Sequence, residues 1–304
     1  MSKETQKLFS LSLFKDAAGY LSTDKVAPIK DLCKADAFVE TGTYLGDTTA
    51  AMRSLFSRVI SIELSEELHA AAKRRFSSDS NVTLIKGNSA ERIGDALALV
   101  GEARPLMWLD AHWSGGATAK ADENTPILSE IRQIREAGRA DVVILVDDIS
   151  FFWSVNPGFN VHESIGGYPE IGRLIDELKA TNPAFCIFVN CDVMIAIPKA
   201  LMGSATISAV LEATSRLRTG QYSAEELSKL ETTVAEADGE ERETIIRLPE
   251  HYAHALSYGI GGHFCYWRGL VRERDGEYLG AAHDFNLARS CGIGVVKRQW
   301  EPAE

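Results

Sequence analysis

Three acids stand where two apolar runs end. Leu106-Met107-Trp108-Leu109 leads into Asp110, and Val142-Val143-Ile144-Leu145-Val146 leads into the pair Asp147-Asp148. Runs of this kind read as strands covered on both faces, so the acids fall where such strands surface. Carried by neighbouring strands, the three carboxylates would meet at one rim. Like charges at close range then need protons or a cation. Oxygen donors with no Cys-His set beside them favour Mg²⁺, with Mn²⁺ or Ca²⁺ as substitutes, over zinc. A cation there could hold a hydroxyl and lower its pKa, making it a better nucleophile. The bland reading is a solvated strand end. His112, two residues past Asp110, is the first candidate for a general base, its ordinary pKa lying near ~6.5. His162 is the second candidate, and either histidine could equally be an idle loop residue. Trp113, Phe152 and Trp153 could line a sugar or aromatic pocket, or could simply pack.

A second constellation lies nearer the start. Val39-Glu40-Thr41-Gly42-Thr43-Tyr44-Leu45-Gly46-Asp47-Thr48 follows a short strand and opens a helix. Its glycines are spaced Gly-x-x-x-Gly, unlike the Gly-x-Gly-x-x-Gly turn that cradles a dinucleotide pyrophosphate. An acid directly before the first glycine suits the cationic amino acid end of S-adenosylmethionine better than it suits a phosphate. Glu63 closes the next strand roughly twenty residues on, where a carboxylate can accept both ribose hydroxyls. Asn88-Ser89 follow the third strand, where an adenine would lie. Singly, Glu63 could be a surface acid and Asn88 a helix cap. In register, they define a candidate set of Glu40, Thr41, Gly42, Thr43, Tyr44, Gly46, Thr48, Glu63, Leu64, Asn88, Ser89 and Asp110.

Taken in order, ETGTYLGDTT, IEL, GNSAE, WLDAHW and ILVDD resemble the motif series of class I S-adenosylmethionine-dependent methyltransferases. More narrowly, they are similar to the macrocin O-methyltransferase (TylF-like) group of metal-dependent sugar and natural-product enzymes. The resemblance covers residues 35–200. It implies O-methyl transfer to a small-molecule acceptor, a saccharide or a natural product, with Asp110, Asp147 and Asp148 holding Mg²⁺. Leu-Asp-Ala-His-Trp departs from the group, which commonly carries a second acid or an aromatic near the first Asp. Three other readings stay open. One is a metal-independent methyltransferase; another is an NAD-linked oxidoreductase, against which the glycine spacing argues. The third is a binding module in which the tail recruits a partner and the rest is inert.

The elements that must position these residues alternate. Strands are expected over 37–41, 58–64, VTLIKG, 106–111 and 141–148, with helices between them. Ser65 and Asn88 are suited to cap two of the helices. FCIFVN and VMIAIP, parted only by Cys191-Asp192, read as a hairpin. The expected fold is α/β and Rossmann-like: a seven-stranded, mostly parallel sheet with a terminal antiparallel hairpin. The expected domains are an N-terminal helical segment (1–34), the cofactor-binding domain (35–200) and a helical C-terminal appendage (201–304). Within the last, Gly269 to Ala288 carries Gly276, Tyr278, Ala281 and Phe285 at spacings like those of a tetratricopeptide helix pair, and Ala213 to Val234 echoes it weakly.

Composition narrows the partners. Acids outnumber bases 43 to 32, for a net charge of -11. Such a surface disfavours nucleic acid and anionic membrane. The start of the chain does not read as a secretory signal or a membrane span. The five cysteines form no Cys-x-x-Cys pair. Reduced thiols in a cytoplasmic protein are expected. The tail leaves room for a homo-oligomer or a protein partner.

Overall fold

Parallel strands at the middle of a sheet are covered on both faces, which is why they are apolar from end to end here. β1 (Ala37–Thr41), β4 (Pro105–Leu109) and β5 (Val143–Val146) are buried at every position. The computed structural model describes residues 21–111, 125–152, 168–190, 193–202, 224–251 and 261–290. These fall into two compact units that divide between residues 203 and 204.

The first unit holds a seven-stranded sheet in the order β3-β2-β1-β4-β5-β7-β6, with β2 at Arg58–Glu63, β3 at Val82–Lys86, β6 at Phe185–Asn190 and β7 at Val193–Pro198. β1 to β5 run parallel, and β7 is antiparallel to both β5 and β6. This is a Rossmann-like α/β arrangement. The hairpin does not simply extend the sheet outward. The chain lays β6 at the far edge and returns β7 into the gap beside β5, so the one antiparallel strand sits inside the edge. A tight hairpin can close only an antiparallel pair.

The helices follow local signals. α1 (Thr23–Cys33) precedes β1, and α2 (Asp47–Met52) follows the glycine turn. α3 (Glu66–Arg75) begins where the Ser65 hydroxyl accepts the Leu68 N–H at 3.3 Å. α4 (Ser89–Val100) begins where the Asn88 side chain accepts the Ala90 N–H at 3.1 Å. α5 (Ile127–Glu136) and α6 (Ile171–Thr181) are pinned side by side, with Glu177 taking Arg132 at 3.0 Å and Arg135 at 2.9 Å.

The second unit is helical: α7 (Ala224–Ala235), α8 (Gly239–His251), α9 (Gly261–Arg274) and α10 (Tyr278–Ser290). α9 and α10 approach closely because Gly269 has no side chain. A Cβ there would lie 2.6 Å from the Phe285 ring. Across the same pair, Asp284 is fully buried and accepts from Arg268 at 2.6 and 2.9 Å and from Arg272 at 2.9 Å. Among the described residues no strand follows β7, and no helix is long and apolar enough to cross a membrane.

Candidate active site

Strand register puts the site together. Thr41 pairs with Ile62 on one side and with Leu109 on the other, and Leu109 pairs with Val146. The next residue along each of these strands therefore lies at one level, and those residues are Glu63, Gly42, Asp110 and Asp147. All sit at the carboxyl ends of parallel strands, where open α/β sheets bind ligands.

The glycine turn is held from several directions. Gly42 (φ 85) presses against the end of β4: a Cβ there would lie 2.9 Å from the Asp110 carbonyl oxygen. Tyr44 has φ 47, an uncommon conformation for a non-glycine residue. Its N–H donates to Glu63 Oε2 at 2.8 Å, while Glu63 Oε1 takes the Ser65 N–H at 2.7 Å. Each oxygen of that buried carboxylate keeps a second lone pair for a ligand. The Tyr44 and Leu45 side chains are exposed, and Leu64 is half-buried. Thr43 bonds Ser61 through its hydroxyl at 2.6 Å. The Thr48 hydroxyl accepts the Leu21 N–H at 3.4 Å, so the stretch before α1 reaches the start of α2.

Glu40 lies under the turn, buried. Thr49 and Ser61 both donate to its Oε2, Ser61 at 2.7 Å. Burial nevertheless pushes its pKa up to about 8, and the nearby Asp110 and Glu63 push the same way. The carboxyl is therefore mostly protonated at neutral pH until a positive charge comes near.

On the other flank, one oxygen from each of Asp110, Asp147 and Asp148 lies within 4.8 Å of the others. Consecutive strand residues normally point to opposite faces. Asp148 escapes this with a left-handed φ of 51, which brings its carboxylate round beside that of Asp147. Asp110 is fixed by its N–H to the Thr41 hydroxyl at 3.1 Å and by the Trp108 indole at 3.2 Å. A small recess opens beside the acids, lined by residues that include Thr125, Glu130, Phe152 and Tyr168. Phe152 meets Tyr168 edge-on, ring centroids 5.1 Å apart. Burial, together with the three aspartates, raises the Tyr168 pKa, so its phenol stays a hydrogen-bond donor.

Two of these residues were not singled out from sequence. Glu130 shares the inward face of α5 with Ile127, Ile131 and Ile134, and that misplaced acid was a readable signal. Tyr168 follows Gly166-Gly167 in a stretch without apolar periodicity and gave none. Asn88 does cap a helix, which leaves its amide group for a ligand. Ser89 is buried close to Glu130. His112, Trp113, Trp153 and His162 lie outside the described residues.

No protein-family profile and no curated protein matches the chain. Among solved structures, it is similar to a Staphylococcus aureus protein described provisionally as a caffeoyl-CoA O-methyltransferase (16% identity, TM-score 0.38, over 64% of this chain and 90% of that one). It is also similar to a Klebsiella pneumoniae protein described provisionally as an O-methyltransferase (17%, TM-score 0.39, 64% and 86%). A third is the mycolic acid cyclopropane synthase CmaA1 (11%, TM-score 0.35, 97% and 96%). The fold itself follows from the sheet order and register above.

Proposed function

We propose that this chain is an S-adenosylmethionine-dependent O-methyltransferase. Its acceptor is a hydroxyl of a small molecule, a saccharide or glycosylated natural product, and a hard divalent cation sits beside the methyl donor. The observation that carries the reading is the register that sets Glu63, Gly42, Asp110 and Asp147 in one row. In this reading Glu63 takes the ribose hydroxyls on its remaining lone pairs, and Asn88-Ser89 border the adenine. Glu40 lies beneath the cationic amino acid end. The three carboxylates of Asp110, Asp147 and Asp148 fit a Mg²⁺-class ion, because the donor set is all oxygen and its charge needs compensation. Such an ion, when bound, supplies Lewis-acid activation of the acceptor hydroxyl.

The acceptor oxygen forms a bond to the methyl carbon as the carbon–sulfur bond breaks. The electron pair stays on sulfur, leaving S-adenosylhomocysteine, and the acceptor's proton passes to a base. His112, two residues past Asp110 in the sequence, is the proposed base. Tyr168 and Phe152 stand beside Asp110 and Asp147 in the wall of the recess.

The test measures labelled methyl transfer to a panel of saccharides and phenols, with calorimetric binding of S-adenosylhomocysteine in parallel. Asp148→Asn is expected to depress transfer far more than cofactor affinity. A wild-type protein that binds no S-adenosylhomocysteine would sink the assignment. Full turnover in excess EDTA, or in Asp147→Ala with Asp148→Ala, would remove only the cation.

A further inference from the structure

The reaction outlined above gives Glu130 no task. Its side chain is 1% exposed and its Oε1 has no hydrogen-bond partner among the described residues. A buried polar atom left unsatisfied costs stability. The neighbours on that face of α5 are Ile127, Ile131 and Ile134, so the acid stands on an otherwise apolar face. Burial raises the carboxyl pKa to about 7, although the hydroxyls of Ser89 and Thr41 hold the rise back. The chain thus keeps an acid with one unmet acceptor, and it keeps it in the wall of the recess that Asp110 and Asp147 also line. The open part of that recess has room for about one water-sized group.

Small hard cations shed water reluctantly and usually keep several waters when bound by carboxylates. Acceptors just outside the ligand set orient such groups and strengthen binding. We propose that Glu130 is the outer acceptor of the cation site: its Oε1 receives a hydrogen bond from a water on the divalent ion held by Asp110, Asp147 and Asp148. It is a positioning residue, touching neither the methyl donor nor the acceptor. This rests on the cation reading of the three aspartates.

The experiment uses the full chain and Mn²⁺ alone as the probe. Binding is followed by the loss of the free-ion electron paramagnetic resonance signal, with S-adenosylhomocysteine affinity and metal-free thermal unfolding measured beside it. Glu130→Leu is expected to weaken Mn²⁺ by about 10–100-fold and to leave S-adenosylhomocysteine binding near wild type. Glu130→Gln keeps a carbonyl acceptor and should lose less. A purely structural glutamate predicts a changed unfolding temperature with Mn²⁺ affinity unchanged. Wild-type Mn²⁺ affinity in Glu130→Leu, or in Glu130→Met should the leucine variant fail to fold, overturns the inference alone. A wild-type chain that binds S-adenosylhomocysteine but not Mn²⁺ removes the cation reading, and this inference with it.

Discussion

Glu63 accepts the backbone N–H of Tyr44 at 2.8 Å, so the acid that ends one strand holds the left-handed corner of the turn after its neighbour. Turn geometry and ribose recognition would then share one carboxylate. Glu63→Ala should weaken S-adenosylhomocysteine about 100-fold or more, since charged hydrogen bonds contribute about 1.5–3 kcal/mol each and the ribose offers two. Calorimetry on the folded variant checks this. Unchanged affinity would take Glu63 out of the cofactor site.

Glu40 makes both stability and binding depend on pH. Its folded pKa is raised from 4.5 to about 8, so between those values the unfolded chain has lost a proton that the folded chain retains. Stability from this group is fully present below pH 4.5 and drains away as pH rises toward 8. Glu130 adds a slope of the same sign, over pH 4.5 to about 7. Glu40→Gln should flatten the Glu40 share. A cationic ligand above Glu40 favours the carboxylate, so S-adenosylmethionine should expel a proton on binding at pH 7. Calorimetry in two buffers of different ionisation enthalpy reads that proton. Buffer-independent heats in the wild type would place the ligand's charge elsewhere.

Gly42→Ala tests the close approach of turn and strand. The added Cβ would meet the Asp110 carbonyl oxygen at 2.9 Å on a backbone of φ 85. The strain alone is worth about 1–3 kcal/mol, and relief would move Asp110. Thermal unfolding should drop, and cofactor and Mn²⁺ affinity should fall together. A variant as stable as wild type would mean that the turn can back away freely.

In the helical unit, Asp284 answers two guanidinium groups while fully buried. Asp284→Ala takes the buried acceptor from both guanidinium groups, and removing one partner of a buried pair costs up to about 3–5 kcal/mol. We expect the 201–304 region to be a folded appendage, so this variant should turn a protease-resistant tail into a rapidly cleaved one. Equal cleavage of wild type and variant would contradict that picture.

The strands were legible because burial on both faces leaves long apolar runs, as in Leu106–Leu109 and Val143–Val146. Asp110, Asp147 and Asp148 were legible because they end such runs. Other features depend on contacts distant in sequence. Nothing within FCIFVN or VMIAIP says which of them lies at the edge, since that depends on where α6 delivers the chain. The second role of Glu63, holding Tyr44, needs the two strands side by side before it exists. Glu130 was overlooked for another reason: one acid in an amphipathic helix is easily assigned to the solvent side unless the helix is rotated residue by residue.

The left-handed backbone at Asp148 also limits how this corner of the protein can change over evolutionary time. Glycine would keep the bend but bring no oxygen. Glutamate would bring the oxygen but resist the bend, as would any β-branched side chain. Aspartate and asparagine satisfy both demands most readily. Drift at position 148 is thereby steered toward these two residues, which differ by one unit of negative charge. A single-base change in a codon can move between them, so the charge of this acidic cluster is adjustable in one step while its shape is retained.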